Sequence, residues 1–352
     1  MNEIIGRYPF LKDCKSPQPF GNGHINDTFL LESPRGKFIL QRVNNKVFRT
    51  GILISNLKVL YSKLSEYEQN TGEKLTPAVL KNKAGEYHSI DGEGAAWRVM
   101  EFFDGCKSYA VSPSEDISQK AAFAVGRFQR FLNSLPVDIF GDTIVNFHNL
   151  PDRAASFQTT LANAPETLAE KAKEEIEIIG NLERITGEFM NAVENQGVKK
   201  RVTHNDTKLD NILFTSEGTV LMIDLDTVMP GYVMFDYGDM VRTFTSPVAE
   251  DYRLPDQTAL RSSHLYALTK GYLAALKNDL SDDEISTLFT GAVTIIYEQA
   301  IRFLNDFLLG DIYYKTSFKE HNLVRARNQI KLLQDLIEYS HKFDEMIDEL
   351  MN

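Results

Sequence analysis

Titratable and metal-ligating residue types concentrate in one tight turn, RVTHNDTKLD from Arg201 to Asp210, followed directly by NILF. Thr203, His204, Asn205 and Asp206 stand between the apolar Val202 and a β-type run. After NILF come TSEGT, VLMI and then Asp224-Leu225-Asp226. Two apolar runs flanking Glu217-Gly218 spell a β-hairpin. With a two-residue turn at 217–218, facing residues sum to 435, so Asn211 opposes Asp224, and directly opposed Cα atoms lie roughly 4.5–5.5 Å apart.

An amide oxygen and a carboxylate converging beside a third acid, Asp206, make a set of hard oxygen donors that suits Mg²⁺ better than zinc. In kinase-type phosphoryl transfer a loop Asn and an Asp after a strand hold the metal. A further Asp, five residues before that Asn, accepts or orients the substrate hydroxyl. Asp206 precedes Asn211 by five. The spacing therefore points to phosphoryl transfer, with Asp206 as the catalytic base and Asn211 and Asp224 as metal ligands. The plainer reading is that Asn-Asp-Thr caps a turn and Asp224 ends a strand. His204 reads as an architectural hydrogen-bonder rather than a proton shuttle.

Phosphoryl transfer needs a phosphate cradle. The chain has no GxxxxGK[ST] sequence, which excludes a P-loop enzyme. It has Gly21-Asn22-Gly23-His24 between two strand-like runs, where glycines let backbone N–H groups approach phosphate oxygens closely. The same residues also suit an ordinary hairpin turn, and His24 either touches phosphate or sugar or finishes that turn. The strand lysine and helix glutamate that hold the α/β-phosphates in kinases are missing: FILQRVN offers Gln41 and Arg42, and the next helix has no acid before Glu66. Arg42 is a nucleotide-binding candidate or a solvated strand end. Met100 to Phe103, including Glu101, forms the slot for the nucleotide base, read through backbone groups.

These residues must be positioned by the elements around them. KFILQRVN and AAWRVMEFF read as strands, and Leu53, Leu57, Leu60 and Leu64 share one helix face. Ala121, Val125, Phe128 and Leu132 give another helix, 161–194 is Ala/Glu-rich and helical, and Ile296, Ala300, Phe303 and Phe307 form a stripe in a helical C-terminal part. The fold class is α+β with segregated elements: a β-rich N-lobe over 1–103, a joint near 103–105, and a mostly helical C-lobe over 104–352.

Composition narrows the partners. The 352 residues are 43% hydrophobic and 11% aromatic, enough for a full core. Forty-nine acidic against 38 basic residues give a net charge of −11, which argues against nucleic acid, since a phosphate-binding surface needs a basic stripe. Cys14 and Cys106 form no CxxC, consistent with a reduced, cytoplasmic chain without a disulfide framework. The first residues carry early charges and no apolar h-region, so they do not read as a signal peptide. No apolar run is long enough for a membrane span.

THNDTKLDNILF with IDLDT resembles the aminoglycoside/choline phosphotransferase family, which has a protein-kinase-like two-lobe fold. GNGHIN, FILQRVN, WRVMEFF, IDLDTVMPGYVMFDYGDMVR, RFLNDFLLGDIYY and EHNLVRARNQIKL are similar, in order and spacing, to its N-acetylhexosamine 1-kinase branch over about residues 20 to 335. The resemblance implies ATP- and Mg²⁺-dependent phosphorylation of the anomeric hydroxyl of GlcNAc or GalNAc. It also implies sugar contacts at His24, Asp226, Arg302 and Tyr313, and a bracing role for Asp236. On their own, Arg302 four residues after Glu298 also fits a surface ion pair, and Tyr313 and Tyr314 also fit lobe packing. Other small alcohols, such as choline, homoserine, methylthioribose or an aminoglycoside, are the competing acceptors, and an inactive nucleotide-binding module is the competing class.

Overall fold

Alternation along GKFILQR and AWRVME builds the central pair of a six-stranded antiparallel sheet. The computed structural model describes residues 1–21 and 25–352, so the expectations for Asn22, Gly23 and His24 lie outside the described residues. The strands are β1 (Gln18–Pro19), β2 (Asp27–Ser33), β3 (Gly36–Arg42), β4 (Val79–Leu80), β5 (Ser89–Ile90) and β6 (Ala96–Glu101), in the order β1-β2-β3-β6-β4 with β5 also on β6. Leu40 pairs with Val99 and Gln41 with Arg98. Successive pairs point to opposite faces, so one face takes the apolar pair and the other the polar pair. Leu31, Leu40, Trp97 and Val99 are closed over by Ile4, Tyr8 and Leu11 from the N-terminal segment, which includes α1 (Asn2–Ile5). On the Gln41–Arg98 side stands α2 (Thr50–Thr71), whose Tyr61 hydroxyl accepts from Arg98 at 3.2 Å. Leu53, Leu57, Leu60 and Leu64 are all buried along α2, as their spacing predicts.

The chain divides into two compact units: residues 1–107 with 137–145 and 213–229, and residues 108–136 with 146–212 and 230–352. Two late stretches join the first unit because their backbones bond into it. Lys107 and Phe214 exchange N–H···O bonds of 2.8 Å, and Met222 N donates to the Leu75 carbonyl at 2.9 Å. The Asn56 amide donates to the carbonyls of Gly141 (2.7 Å) and Val228 (3.2 Å).

The second unit is mostly helical. Its helices are α3 (Glu115–Leu132), α4 (Leu150–Asn163), α5 (Glu166–Lys171), α6 (Lys173–Asn181), α7 (Arg184–Asn195), α8 (Val233–Phe244), α9 (Ser262–Leu276), α10 (Asp282–Ser286), α11 (Leu288–Leu308), α12 (His321–Glu338) and α13 (Ser340–Met351). The α3 and α11 stripes read from the sequence are buried throughout. α8 and α11 cross backbone to backbone: a Cβ at Gly238 would meet the Gly291 carbonyl, and one at Gly291 the Met234 carbonyl. That close crossing is what only glycine permits. Short strands β7 (Arg201–Thr203) and β10 (Met229–Gly231) form one ladder, and β8 (Ile212–Phe214) and β9 (Val220–Met222) another.

The β8–β9 hairpin corrects one expectation. Thr215 N donates to the Thr219 carbonyl at 2.9 Å, and Gly218 N to the Thr215 carbonyl at 3.1 Å. The loop is therefore the three residues Ser216–Gly218, and this pair sums to 434 rather than 435. A two-residue I′ turn would need Glu217 as well as Gly218 at positive φ; here only Gly218 adopts it, at 86°. At that sum the ladder does not set Asn211 opposite Asp224. Asp224 instead leaves the strand in a left-handed conformation, φ 58 and ψ 59.

Candidate active site

In the second unit β7 ends at Thr203, and the chain reverses through Asn205 at φ 65, a left-handed conformation that Asn tolerates. Strained positions of this kind persist only where the surroundings over-determine them, and here they do. The Asp236 carboxylate, in the first turn of α8, accepts from His204 N (3.0 Å) and Asn205 N (2.6 Å), and its backbone carbonyl accepts from Thr207 Oγ1 (2.6 Å). Thr203 Oγ1 donates to Asn205 Oδ1 at 2.8 Å. Burial pushes the Asp236 carboxyl up to about 6, against the opposing pull of His204 and the two N–H groups. Asp236 thus occupies the place the sequence suggested for a brace.

The reversal presents Asp206. Its side chain is 25 % exposed, the His204 Nδ1 accepts from its backbone N–H (3.3 Å), and Lys208 Nζ lies 3.6 Å from Oδ2. A single 3₁₀ turn over Leu209–Asn211 returns Asn211 to it, so that the Asn211 amide donates to both the carbonyl (2.9 Å) and Oδ2 (2.8 Å) of Asp206. Burial alone would raise the Asp206 carboxyl. Lys208, His204 and Arg242, with the Asn211 hydrogen bond, outweigh it and hold the group below its ordinary 3.8. Asp206 is therefore an ionised, oriented carboxylate near neutral pH, suited to accept from a hydroxyl.

In the first unit, Asp226 is 1% exposed, and both its oxygens are engaged: Oδ1 by the Arg98 guanidinium and Oδ2 by Asn26 Nδ2 at 2.7 Å. Thr143 Oγ1 donates to the Asp226 backbone carbonyl at 2.8 Å. Arg98, 3% exposed, also donates from Nε to Gln41 Oε1 at 2.9 Å. On the strand where the sequence offers Gln41 and Arg42 but no lysine, the buried cation Arg98 stands across the ladder from Gln41, on β6. Burial pushes the Tyr61 hydroxyl up to about 12, the nearby Arg98 notwithstanding. Asp224 is half-buried, and its charge is felt at both Tyr61 and Arg98.

The other expected residues fall as follows. Gly21 is exposed at φ 77. Arg42 pairs with Glu93 at 3.0 Å and lies over the Trp97 ring at 5.8 Å. Glu101 accepts from Lys74 (2.7 Å) and from Ala78 N (3.1 Å), and Lys74 also lies over the Phe103 ring. Arg302, in the second unit, donates to Gln299 at 3.0 Å and lies over the rings of Phe147 (5.8 Å) and Tyr314 (5.7 Å). Glu298, read as its possible surface partner, is buried and faces His148 instead. Tyr313 is 63% exposed, so it is not core packing. Its loop is shaped by Asp306, whose carboxylate accepts from the backbone N–H groups of Ile312, Tyr313 and Tyr314.

For a hard cation, the chemistry of the expected donors fits. Asn211 turns its amide nitrogen to Asp206, which leaves Oδ1 out of that contact, and Asp224 offers a carboxylate on a left-handed residue. Among the described residues no group of three His, Cys, Asp or Glu is set to hold a metal ion. Sequence reasoning missed Arg98 and His148. For Arg98 a signal existed: one base inside the apolar run AAWRVM, where a strand buries both faces. His148 stands outside any motif and carried none.

Among the described residues no helix is long and apolar enough to cross a membrane. The fold is shared with several solved kinases. An aminoglycoside phosphotransferase from Alicyclobacillus acidocaldarius superposes with a TM-score of 0.68 at 11% identity, covering 99% of this chain and 96% of that one. A spectinomycin phosphotransferase in complex with ADP and spectinomycin gives 0.62 at 12% identity, covering 93% and 94%. A choline kinase from Cryptosporidium parvum gives 0.58 at 14% identity, covering 99% and 98%. The model of the APH phosphotransferase enzyme family matches residues 16–270, which hold the Asp206 loop, its Asp236 brace and the Arg98–Asp226 pair. The chain belongs to that family.

Proposed function

We propose that the chain transfers the γ-phosphoryl group of ATP to the anomeric hydroxyl of an N-acetylhexosamine, GlcNAc or GalNAc, giving the sugar 1-phosphate. The observation that carries the reading is the Asp206–Asn211 unit. An ionised carboxylate is hydrogen-bonded by an amide five residues on and held by a loop whose amides end on Asp236. Asp206 aligns the acceptor hydroxyl and takes its proton late in a direct, in-line transfer, with no phosphoenzyme. Bound through Asn211 Oδ1 and the Asp224 carboxylate, Mg²⁺ would neutralise charge on the phosphates.

Nucleotide contacts fall to the Gly21–Gly23 backbone, Arg42 and the Glu101–Phe103 segment. Sugar contacts fall to His24, Arg302 and Tyr313; Asp226, expected among them, is buried with both oxygens engaged by Arg98 and Asn26 and does not present a carboxylate to a sugar. The choice of a neutral sugar over a cationic alcohol rests on the motif resemblance and on Arg302. A guanidinium held over two aromatic rings occupies the faces a quaternary ammonium would use and repels it. The test is a coupled ADP assay on purified protein across GlcNAc, GalNAc, glucose, galactose and choline, with and without Mg²⁺. Turnover with the N-acetylhexosamines is expected; transfer to choline but not to GlcNAc would replace this acceptor class with the amino alcohols.

A further inference from the structure

His148 lies just before α4, with Phe147 and Phe235 packed on its ring at centroid distances of 4.4 and 5.0 Å. Its side chain is 10% exposed. Each ring nitrogen faces an oxygen: Nδ1 is 3.2 Å from Glu298 Oε2, and Nε2 is 2.9 Å from the backbone carbonyl of Asn205. A backbone carbonyl can only accept. As a carboxylate, Glu298 also accepts; its other oxygen lies 3.9 Å from Arg153 Nε. A neutral imidazole has one N–H, so either tautomer would set a lone pair against one of these oxygens. Against a carboxylate and a carbonyl together, only the imidazolium satisfies both.

We propose that His148 is a positioning residue: as an imidazolium it clamps the Asn205 peptide through its carbonyl while Asp236 holds the same residue through its N–H, and together they set the direction of Asp206. The proposal rests on the kinase reading of Asp206. Glu298 on α11 faces the ring, the charges of Arg302 on α11 and Asp239 on α8 act on it, and Arg153 on α4 lies 3.9 Å from Glu298. Burial pulls the imidazole down and Arg302 adds to that. Glu298 and the Asn205 carbonyl outweigh both and leave it above its ordinary 6.5. The sign follows from that direction: the doubly donating form persists below the raised value and is lost as pH rises through it. Deprotonation removes one of the two bonds, so kcat falls on the alkaline side while the KM for nucleotide does not change.

The test reads the ring directly. Long-range ¹H–¹⁵N spectra of the substrate-free protein, with His148 assigned among the seven histidines by its loss in His148→Gln, follow both ring nitrogens through pH. Both are expected to remain protonated above pH 6.5; a ring already neutral at that pH overturns the proposal. Glu298→Gln removes the counter-charge and is expected to shift this titration to lower pH, carrying the alkaline limb of kcat with it by the same amount. A limb that stays in place while the ring titration moves overturns the coupling to Asp206, and a purely structural role would give that pattern with only a lowered melting temperature. Absence of turnover with every acceptor would overturn the kinase reading and not the imidazolium, which the titration decides without substrate.

Discussion

The Asn211 amide donates to Asp206 twice, to the backbone carbonyl at 2.9 Å and to Oδ2 at 2.8 Å. One side chain thereby fixes both the loop and the rotamer of the carboxylate five residues before it. If Asp206 aligns a hydroxyl and accepts its proton, Asp206→Asn keeps the shape and loses the acceptor. Turnover is expected to drop by about 10²–10⁴-fold with an unchanged melting temperature. Activity within a few-fold of the parent in a steady-state ADP assay would remove Asp206 from that role.

Asn211→Ala strips the amide from Asp206 and takes away a proposed oxygen donor for the divalent ion. Turnover should fall, and the Mg²⁺ concentration for half-maximal rate should rise by about tenfold or more, in line with losing one ligand or its support. Chelation with EDTA should abolish turnover in the parent protein, and added Mg²⁺ should restore it. A Mg²⁺ titration curve identical in parent and variant would argue against Asn211 as a ligand.

Asp236→Ala leaves the N–H groups of His204 and Asn205 without their acceptor in the interior. Each orphaned donor costs about 1–3 kcal/mol, so the variant is expected to lose about 2–6 kcal/mol of unfolding free energy. Urea unfolding measures this directly. A loss under 1 kcal/mol would mean that the loop finds other partners without strain.

Arg98→Met leaves the Asp226 carboxylate buried and without its cation. Breaking one side of such a pair costs about 3–5 kcal/mol, whereas replacing both members by apolar residues is often close to neutral. The double variant Arg98→Met, Asp226→Leu should therefore recover more than half of the lost stability. Equal unfolding midpoints for the single and double variants would show that the pair is not coupled.

Gly231→Ala tests the floor under the loop. The new Cβ would fall inside contact distance of Thr203 Oγ1 and Asn205 Oδ1, both already committed to one another. Displacing them should cost about 1–3 kcal/mol of stability and lower kcat more than KM, because the shift reaches Asp206 through its neighbour. Unaltered kcat and midpoint would show that the loop has slack there.

Much of this architecture was legible in the residues alone. Helical stripes at Leu53–Leu64, Ala121–Leu132 and Ile296–Phe307 were readable because a helix must bury one face. The Asp206–Asn211 spacing was readable because one turn of 3₁₀ helix returns a side chain to a loop five residues back. The hairpin register was read one residue out. Whether a loop closes on two residues or three depends on which residue accepts a positive φ, and Glu217 does not.

Local chemistry in a chain is set by its sequence neighbours, and so the carboxylate, the amide and the apolar faces were determined before folding. The partners of Asp226 and Asn205 were decided only by tertiary packing. Arg98 reaches Asp226 from 128 residues away, and His148 reaches the Asn205 carbonyl from 57. No local pattern encodes such pairs: a buried charge is tolerated only where distant elements bring a counter-charge to it, and that meeting exists only in the folded chain.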